Sequence, residues 1–194
     1  GQGGSDHGDG KSGLLFPTSA GNTSVELFET RAPVLVLEKS YRCDSAGPGR
    51  QRGGLGQIVR ARKLYEDGSP SQVGLYPIGV GVSTDGLFGG GAGHGASAKV
   101  THTETGEVTE IGTGALVTLT SDQEIVELCL PGGSGYGDPS ERAIEALGLD
   151  LRDEYVSVQG AAAQYCCSID DNDAIDVEKT TVLRQRNGRR RNVA

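Results

Sequence analysis

Two arginines, Arg50 and Arg52, stand in a glycine frame, Gly47-Pro48-Gly49-Arg50-Gln51-Arg52-Gly53-Gly54-Leu55-Gly56. A planar guanidinium fork matches a carboxylate or phosphate, and glycine lets the backbone approach closely. The pair reads either as a clamp on an anionic group or as a tie between a loop and the rest of the molecule; structural arginines are the commoner kind. Asn22 and Thr23 add short side chains that hydrogen-bond a turn or a ligand. Asn22, Thr23, Arg50 and Arg52 are therefore the candidates for binding a substrate or intermediate. Glu26, Glu29 and Arg31 lie close enough together for ion pairs.

Other patterns lack the context their chemistry needs. Gly8-Asp9-Gly10-Lys11-Ser12 ends like a phosphate-binding loop, but Ser5 stands where glycine is required, and Pro17 interrupts what should be a helix. Gly91-Ala92-Gly93-His94-Gly95-Ala96 matches a loose dinucleotide fingerprint, yet a strand follows, so a pyrophosphate would find no helix N-terminus. Ser5-Asp6-His7-Gly8-Asp9 offers two carboxylates and an imidazole, too few for a fixed metal site. The three histidines and four cysteines form no zinc-ligand spacing. There is no Gly-x-Ser-x-Gly elbow. The residues assemble neither a catalytic set nor a metal site.

The elements that must position these residues are mostly strands. Val34 to Leu37 is an apolar run of buried-strand length, and Gln57 to Tyr65 a strand whose long cations snorkel to one face. Ala98 to Glu104 and Glu107 to Ile111 flank Thr105-Gly106 as a hairpin. Ala115 to Thr120 and Glu124 to Leu130 follow, with Cys129 a small buried hydrophobe. Helices are expected only after the last glycine block. Asp138-Pro139-Ser140-Glu141 caps the first, with Ala143, Ile144 and Leu147 as its apolar stripe and Gly148 as its stop. Ser157 caps a second through Tyr165, and Asp176 a third that ends near Asn187-Gly188.

The expected fold is mainly β, α+β overall: an antiparallel sandwich or rolled sheet with glycine-rich loops and short C-terminal helices. Residues 1–12 read as a flexible glycine-rich segment, 13–137 as a β-rich domain, and 138–194 as short helices with a basic tail. The chain has 32 glycines in 194 residues, more than twice the average usage of ~7%. With 5% aromatic residues and no tryptophan, its core must rest on Val, Leu, Ile and Ala. A net charge of -8 argues against nucleic acid, and Arg189-Arg190-Arg191 reads as a solvated end. No apolar run approaches membrane-span length. Without a secretory signal, the four cysteines are expected as thiols in the cytoplasm. The absence of methionine and the glycine at position 1 suggest a piece of a longer chain.

Four blocks in series carry a family resemblance: Phe16 to Glu26, Tyr41 to Gly56, Gly86-Leu87-Phe88-Gly89-Gly90, and Pro131 to Pro139. Together, over roughly residues 13 to 165, they resemble the C-terminal region of the hydantoinase B/oxoprolinase family, which includes N-methylhydantoinase B-type and acetone carboxylase alpha-type subunits. That resemblance implies part of an ATP-dependent enzyme that opens cyclic amides such as hydantoins and 5-oxoproline. The alternatives are a segment of an ATP-dependent ketone carboxylase of the acetone or acetophenone type and a non-catalytic subunit-docking domain. The expected partners are the remainder of the B-type chain, a hydantoinase A-type subunit and a small-molecule substrate. ATP-Mg and a divalent metal are expected elsewhere in the full enzyme, with no cofactor in this segment.

Overall fold

The computed structural model describes residues 1–14, 23–65, 69–75 and 79–191, with side chains to residue 186. Alternation of apolar and polar residues builds most of its strands, because successive side chains point to opposite sheet faces. They are β1 (Val34–Tyr41), β2 (Gln57–Lys63), β3 (Ser71–Leu75), β4 (Ser97–His102), β5 (Val108–Ile111), β6 (Ala115–Leu119) and β7 (Glu124–Cys129). One five-stranded antiparallel sheet runs in the order β1-β2-β7-β4-β5, and β3 pairs with β6 in a second. Leu75 and Leu119 from the small sheet pack with Ala98 and Val126 from the large one, so the two sheets share a core. The antiparallel, mainly β expectation holds, and the hairpin across Thr105-Gly106 is β4–β5.

Opposite charges cross the large sheet in register. Glu38, Arg60, Glu127, Lys99 and Glu110 face one another on β1, β2, β7, β4 and β5. The Arg60 guanidinium reaches Glu38 and Glu127 at 2.6 Å each, and Lys99 Nζ lies 3.1 Å from Glu127. Burial acts to raise the Glu127 carboxyl, but Arg60 and Lys99 hold it below its ordinary value. Of the β2 cations Arg60 thus serves a cross-strand ladder, Arg62 pairs with Asp122 at 2.9 Å, and Lys63, expected to snorkel, is buried.

Several expectations change at element ends. Only Val34 of the run Val34 to Leu37 is buried. β1 is an edge strand, and a register shift between Val36 and Glu38 turns Leu37 out to 45% exposure. A helix precedes the glycine blocks: α1 (Val25–Glu29), capped by Ser24, whose hydroxyl accepts from Leu27 N at 3.3 Å. Glu29 accepts from Val36 N at 2.7 Å, tying α1 to β1.

The motif at Asp138 caps a 3-10 turn, Pro139–Glu141, instead of an α-helix. The backbone is extended at Arg142 and Ala143, and α2 (Ile144–Arg152) then runs straight through Gly148. Arg142 sits at the break, its guanidinium held by Asp9 from 133 positions away and by Asp150 on α2 itself. α3 (Val158–Gln164) is capped by Ser157 as expected. α4 (Val177–Arg191) starts at Asp176, whose carboxylate accepts from Lys179 N at 2.9 Å, and continues past Gly188. Leu147, Val156, Ala161, Tyr165 and Cys167 form a second core among these helices.

Candidate functional site

The glycine blocks, expected as loops, are segments stacked side by side through backbone hydrogen bonds. Gly47 N donates to Gly133 O at 2.8 Å, Gly133 N to Gly54 O at 2.8 Å, and Gly54 N to Gln2 O at 2.7 Å. The segment around Gly91 joins through Gly135 N to Gly91 O (2.8 Å) and Gly91 N to Pro48 O (2.7 Å). Lateral backbone hydrogen bonds of this kind require chains closer than a side chain permits. A Cβ on Gly132 would overlap the Ser45 carbonyl, and one on Gly53 the carbonyl of Gly133. Residues 1–12, expected as a flexible segment, hydrogen-bond into the stack at Gln2, Gly4 and Gly10.

Two arginines and two aspartates lock this stack to the helices. Arg142, 2% exposed, donates from Nε to Asp150 Oδ2 at 2.9 Å and from Nη1 and Nη2 to the two oxygens of Asp9 at 2.8 and 2.7 Å. Arg52, also buried, donates from Nε to Asp150 Oδ1 at 3.1 Å and from Nη1 to Gly53 O at 2.6 Å. Its backbone N donates to Asp9 Oδ1 at 2.7 Å, and its guanidinium lies 5.2 Å from the centre of the Tyr155 ring. Arg184 on α4 closes the assembly by donating to the carbonyl oxygens of Arg142 (2.6 Å) and Tyr165 (3.2 Å).

The electrostatics follow from burial and pairing. Burial acts to raise the Asp9 carboxyl, but the Arg142 hydrogen bond and charge, then Arg52, outweigh it and hold Asp9 below its ordinary value. At Asp150 burial prevails and lifts the carboxyl, although Arg142 and Arg52 pull it down. Burial acts to lower Arg142, and Asp9 and Asp150 more than compensate, so its charge is secure. Burial also raises the Tyr165 hydroxyl. Two cations, Arg52 and Arg142, balance two anions, Asp9 and Asp150, and these four side chains pair with one another; Arg184 adds a third cation whose buried Nε has no hydrogen-bond partner among the described residues.

The sequence candidates therefore separate. Arg52 is inside the network, and an anionic ligand reaching it would have to displace Asp150. Arg50 is exposed: its backbone N donates to Gly137 O at 3.2 Å, its carbonyl accepts from Arg142, and its guanidinium has no partner among the described residues. Thr23 lies at the start of α1, where its carbonyl accepts from Lys39 Nζ at 3.1 Å, away from the arginine network. Asn22 lies outside the described residues, as does the stretch from Phe16 to Gly21.

Sequence reasoning missed Arg142 and Asp150 altogether and weighed Asp9 only within a phosphate-loop pattern and as a metal ligand. Arg142 and Asp150 are eight positions apart, but Asp9 and Arg142 are separated by 133 and Arg52 and Asp150 by 98, beyond any local spacing rule. Among the described residues no three His, Cys, Asp or Glu side chains converge to hold a metal ion. Among the described residues Cys43, Cys129, Cys166 and Cys167 form no disulfide, and Cys129 is buried as expected. No helix among the described residues is long and apolar enough to cross a membrane.

Comparison with known proteins supplies what the geometry leaves open. The family model described as hydantoinase B/oxoprolinase matches residues 1–139. A Pseudomonas sp. (strain NS671) protein, provisionally named as the B-type subunit of a D-/L-hydantoinase, is 30% identical over 164 residues, covering 84% of this chain and 27% of its own length. The beta subunit of the Pseudomonas jessenii caprolactamase is 29% identical over 163 residues, covering 80% of this chain and 27% of its own. The crystal structure of the ATP-dependent caprolactamase from that organism matches with a TM-score of 0.69 at 25% identity, covering 84% of this chain and 28% of that one. A nucleotide-free acetone carboxylase shares the fold, with a TM-score of 0.78 at 18% identity over 97% of this chain and 29% of that one. The chain spans less than a third of the length of the curated relatives it matches. With its glycine blocks falling inside the matched region, the chain belongs to the hydantoinase B/oxoprolinase family.

Proposed function

We propose that this chain is the C-terminal segment of a hydantoinase B-type subunit in an ATP-dependent cyclic-amide hydrolase of the hydantoin and 5-oxoproline class. The observation that carries the reading is the 30% identity with the B-type hydantoinase relative across 84% of the chain. The chain's own contribution is a rigid glycine stack, locked by Arg52, Arg142, Asp9 and Asp150, on which the remainder of a B-type chain and an A-type subunit assemble. ATP-Mg and a divalent metal belong to those other parts, and the chain by itself is inactive. Arg50, exposed with its fork free, is the remaining candidate to meet a carboxylated or phosphorylated intermediate. We place the enzyme in the cytoplasm, with the four cysteines as thiols.

The fold match to acetone carboxylase over 97% of the chain favours a second reading, a segment of an ATP-dependent ketone carboxylase. A complete B-type polypeptide carrying this sequence, reconstituted with its A-type companion, separates the two. The first reading expects ATP-dependent ring opening of hydantoin or 5-oxoproline. Fixation of bicarbonate onto acetone or acetophenone, with no ring opening, would replace it with the second. A third reading, a docking domain alone, is favoured by the mutual pairing of Arg52, Arg142, Asp9 and Asp150. It expects activity to depend on the chain's presence but not on Arg50.

A further inference from the structure

Helix α2 serves two sides of the molecule. Leu147 and Asp150 are buried, one in the helical core and the other in the arginine network. Ile144, Gly148 and Leu151, spaced i, i+4 and i+7, line an open cavity of about 760 Å³. Leu151, Val156 and Ile175 form its floor where it meets the helical core, and Cys43 is among its lining residues. Such a volume suits a small ligand.

Gly148 is the unexplained residue. Glycine inside an α-helix costs about 1 kcal/mol relative to alanine. The helix does not end there, and apart from its chain neighbours and the helix's own backbone nothing lies within 4 Å of where its Cβ would stand. Neither a turn nor a close backbone approach within the fold accounts for it. Facing the cavity, the missing side chain is room for an occupant to touch the helix backbone.

The charges of the lining define that occupant. Glu145, Glu154 and Asp173 are exposed carboxylates in it. The single cation, Arg152, is already 2.8 Å from Asp153 Oδ1. Glu154 and Asp173 also hold φ of 57° and 60°, a region that side-chain-bearing residues seldom adopt. We propose that this cavity binds a small molecule with an apolar body and a cationic end, an alkylammonium ion being the simplest member of the class. The body lies on Ile144, Gly148 and Leu151, and the cation meets the carboxylates. The class of occupant does not depend on the choice between amide and ketone substrates, because it follows from the lining residues alone.

Cys43 provides the readout, because it is exposed in the lining whereas Cys129 and Cys167 are buried. The rate of Cys43 alkylation, followed by peptide mass spectrometry, is measured with n-hexylammonium and with hexanoate of equal chain length. Hexylammonium should slow alkylation roughly threefold at twice its Kd, and hexanoate should not. Gly148→Leu should abolish the protection while the circular dichroism spectrum stays that of the parent protein. Glu145→Lys combined with Glu154→Lys, which leaves the apolar wall intact, should transfer protection to hexanoate. Equal protection by both probes, protection by neither, or full hexylammonium protection in folded Gly148→Leu would overturn the proposal.

Discussion

Arg50 and Arg52 are two positions apart and have opposite surroundings. Arg52 is enclosed by Asp150, Gly53 and Tyr155, whereas Arg50 points its fork at solvent. The member that matters most to the fold is Arg142, which joins both aspartates. Replacing it with alanine leaves Asp9 and Asp150 without their main counter-ion, and breaking a buried pair in this way costs roughly 3–5 kcal/mol. Urea denaturation should therefore show a large fall in stability for Arg142→Ala. Arg50→Ala should stay within about 0.5 kcal/mol of the parent. Comparable losses in the two variants would contradict the assignment of roles.

Among the elements, the glycines divide by what surrounds them. Gly132→Ala forces a methyl into the Ser45 carbonyl and should destabilise by at least about 1–3 kcal/mol, as overpacking does. Gly148→Ala meets nothing outside its own helix and should stabilise by about 1 kcal/mol. Thermal unfolding of the two variants checks both signs. Acid should weaken the large sheet. Glu127 has a folded pKa below its ordinary 4.5, so its contribution is present above that value and lost as pH falls through the folded one. Asp9 behaves likewise from 3.8, and Asp150, with its folded pKa raised, offsets part of the loss. Stability should thus decline as pH falls below the ordinary 4.5 of Glu127 and the 3.8 of Asp9, and Glu127→Gln should flatten that decline. An unchanged slope in Glu127→Gln would remove the ladder from the explanation.

The local part of this organisation was legible in the sequence. Ser157 and Asp176 announce their helices because a cap and its acceptor lie within one turn, and the Thr105-Gly106 hairpin is equally local. The charge ladder was half visible: the cations of β2 stand out in the sequence, but the partners of Arg60 on other strands depend on register. The stack was hidden because no side-chain pattern records lateral pairing of glycine backbones. Arg142 was masked by the capping motif beside it.

At the scale of the molecule, one stack of glycine segments joins the opening residues, two loops that flank the sheet and a helical unit held by salt bridges. Such an arrangement suits the scaffold role proposed above. Purified alone and given ATP, bicarbonate, divalent metals and cyclic amides, the chain should yield no product above a protein-free control. Sustained turnover would place the chemistry inside it. The central claim, that this segment is scaffold and its buried arginine a tie, is tested most directly by Arg52→Lys in the reconstituted enzyme, with assembly followed by size-exclusion chromatography alongside kinetics. Lysine keeps the charge but loses the planar fork that spans Asp150 and Gly53. The account predicts weakened assembly and a lower Tm, with the fraction that still assembles retaining the parent kcat/KM. Normal assembly with a fall of roughly ten- to a hundred-fold in kcat/KM would contradict it and make Arg52 an active-site residue.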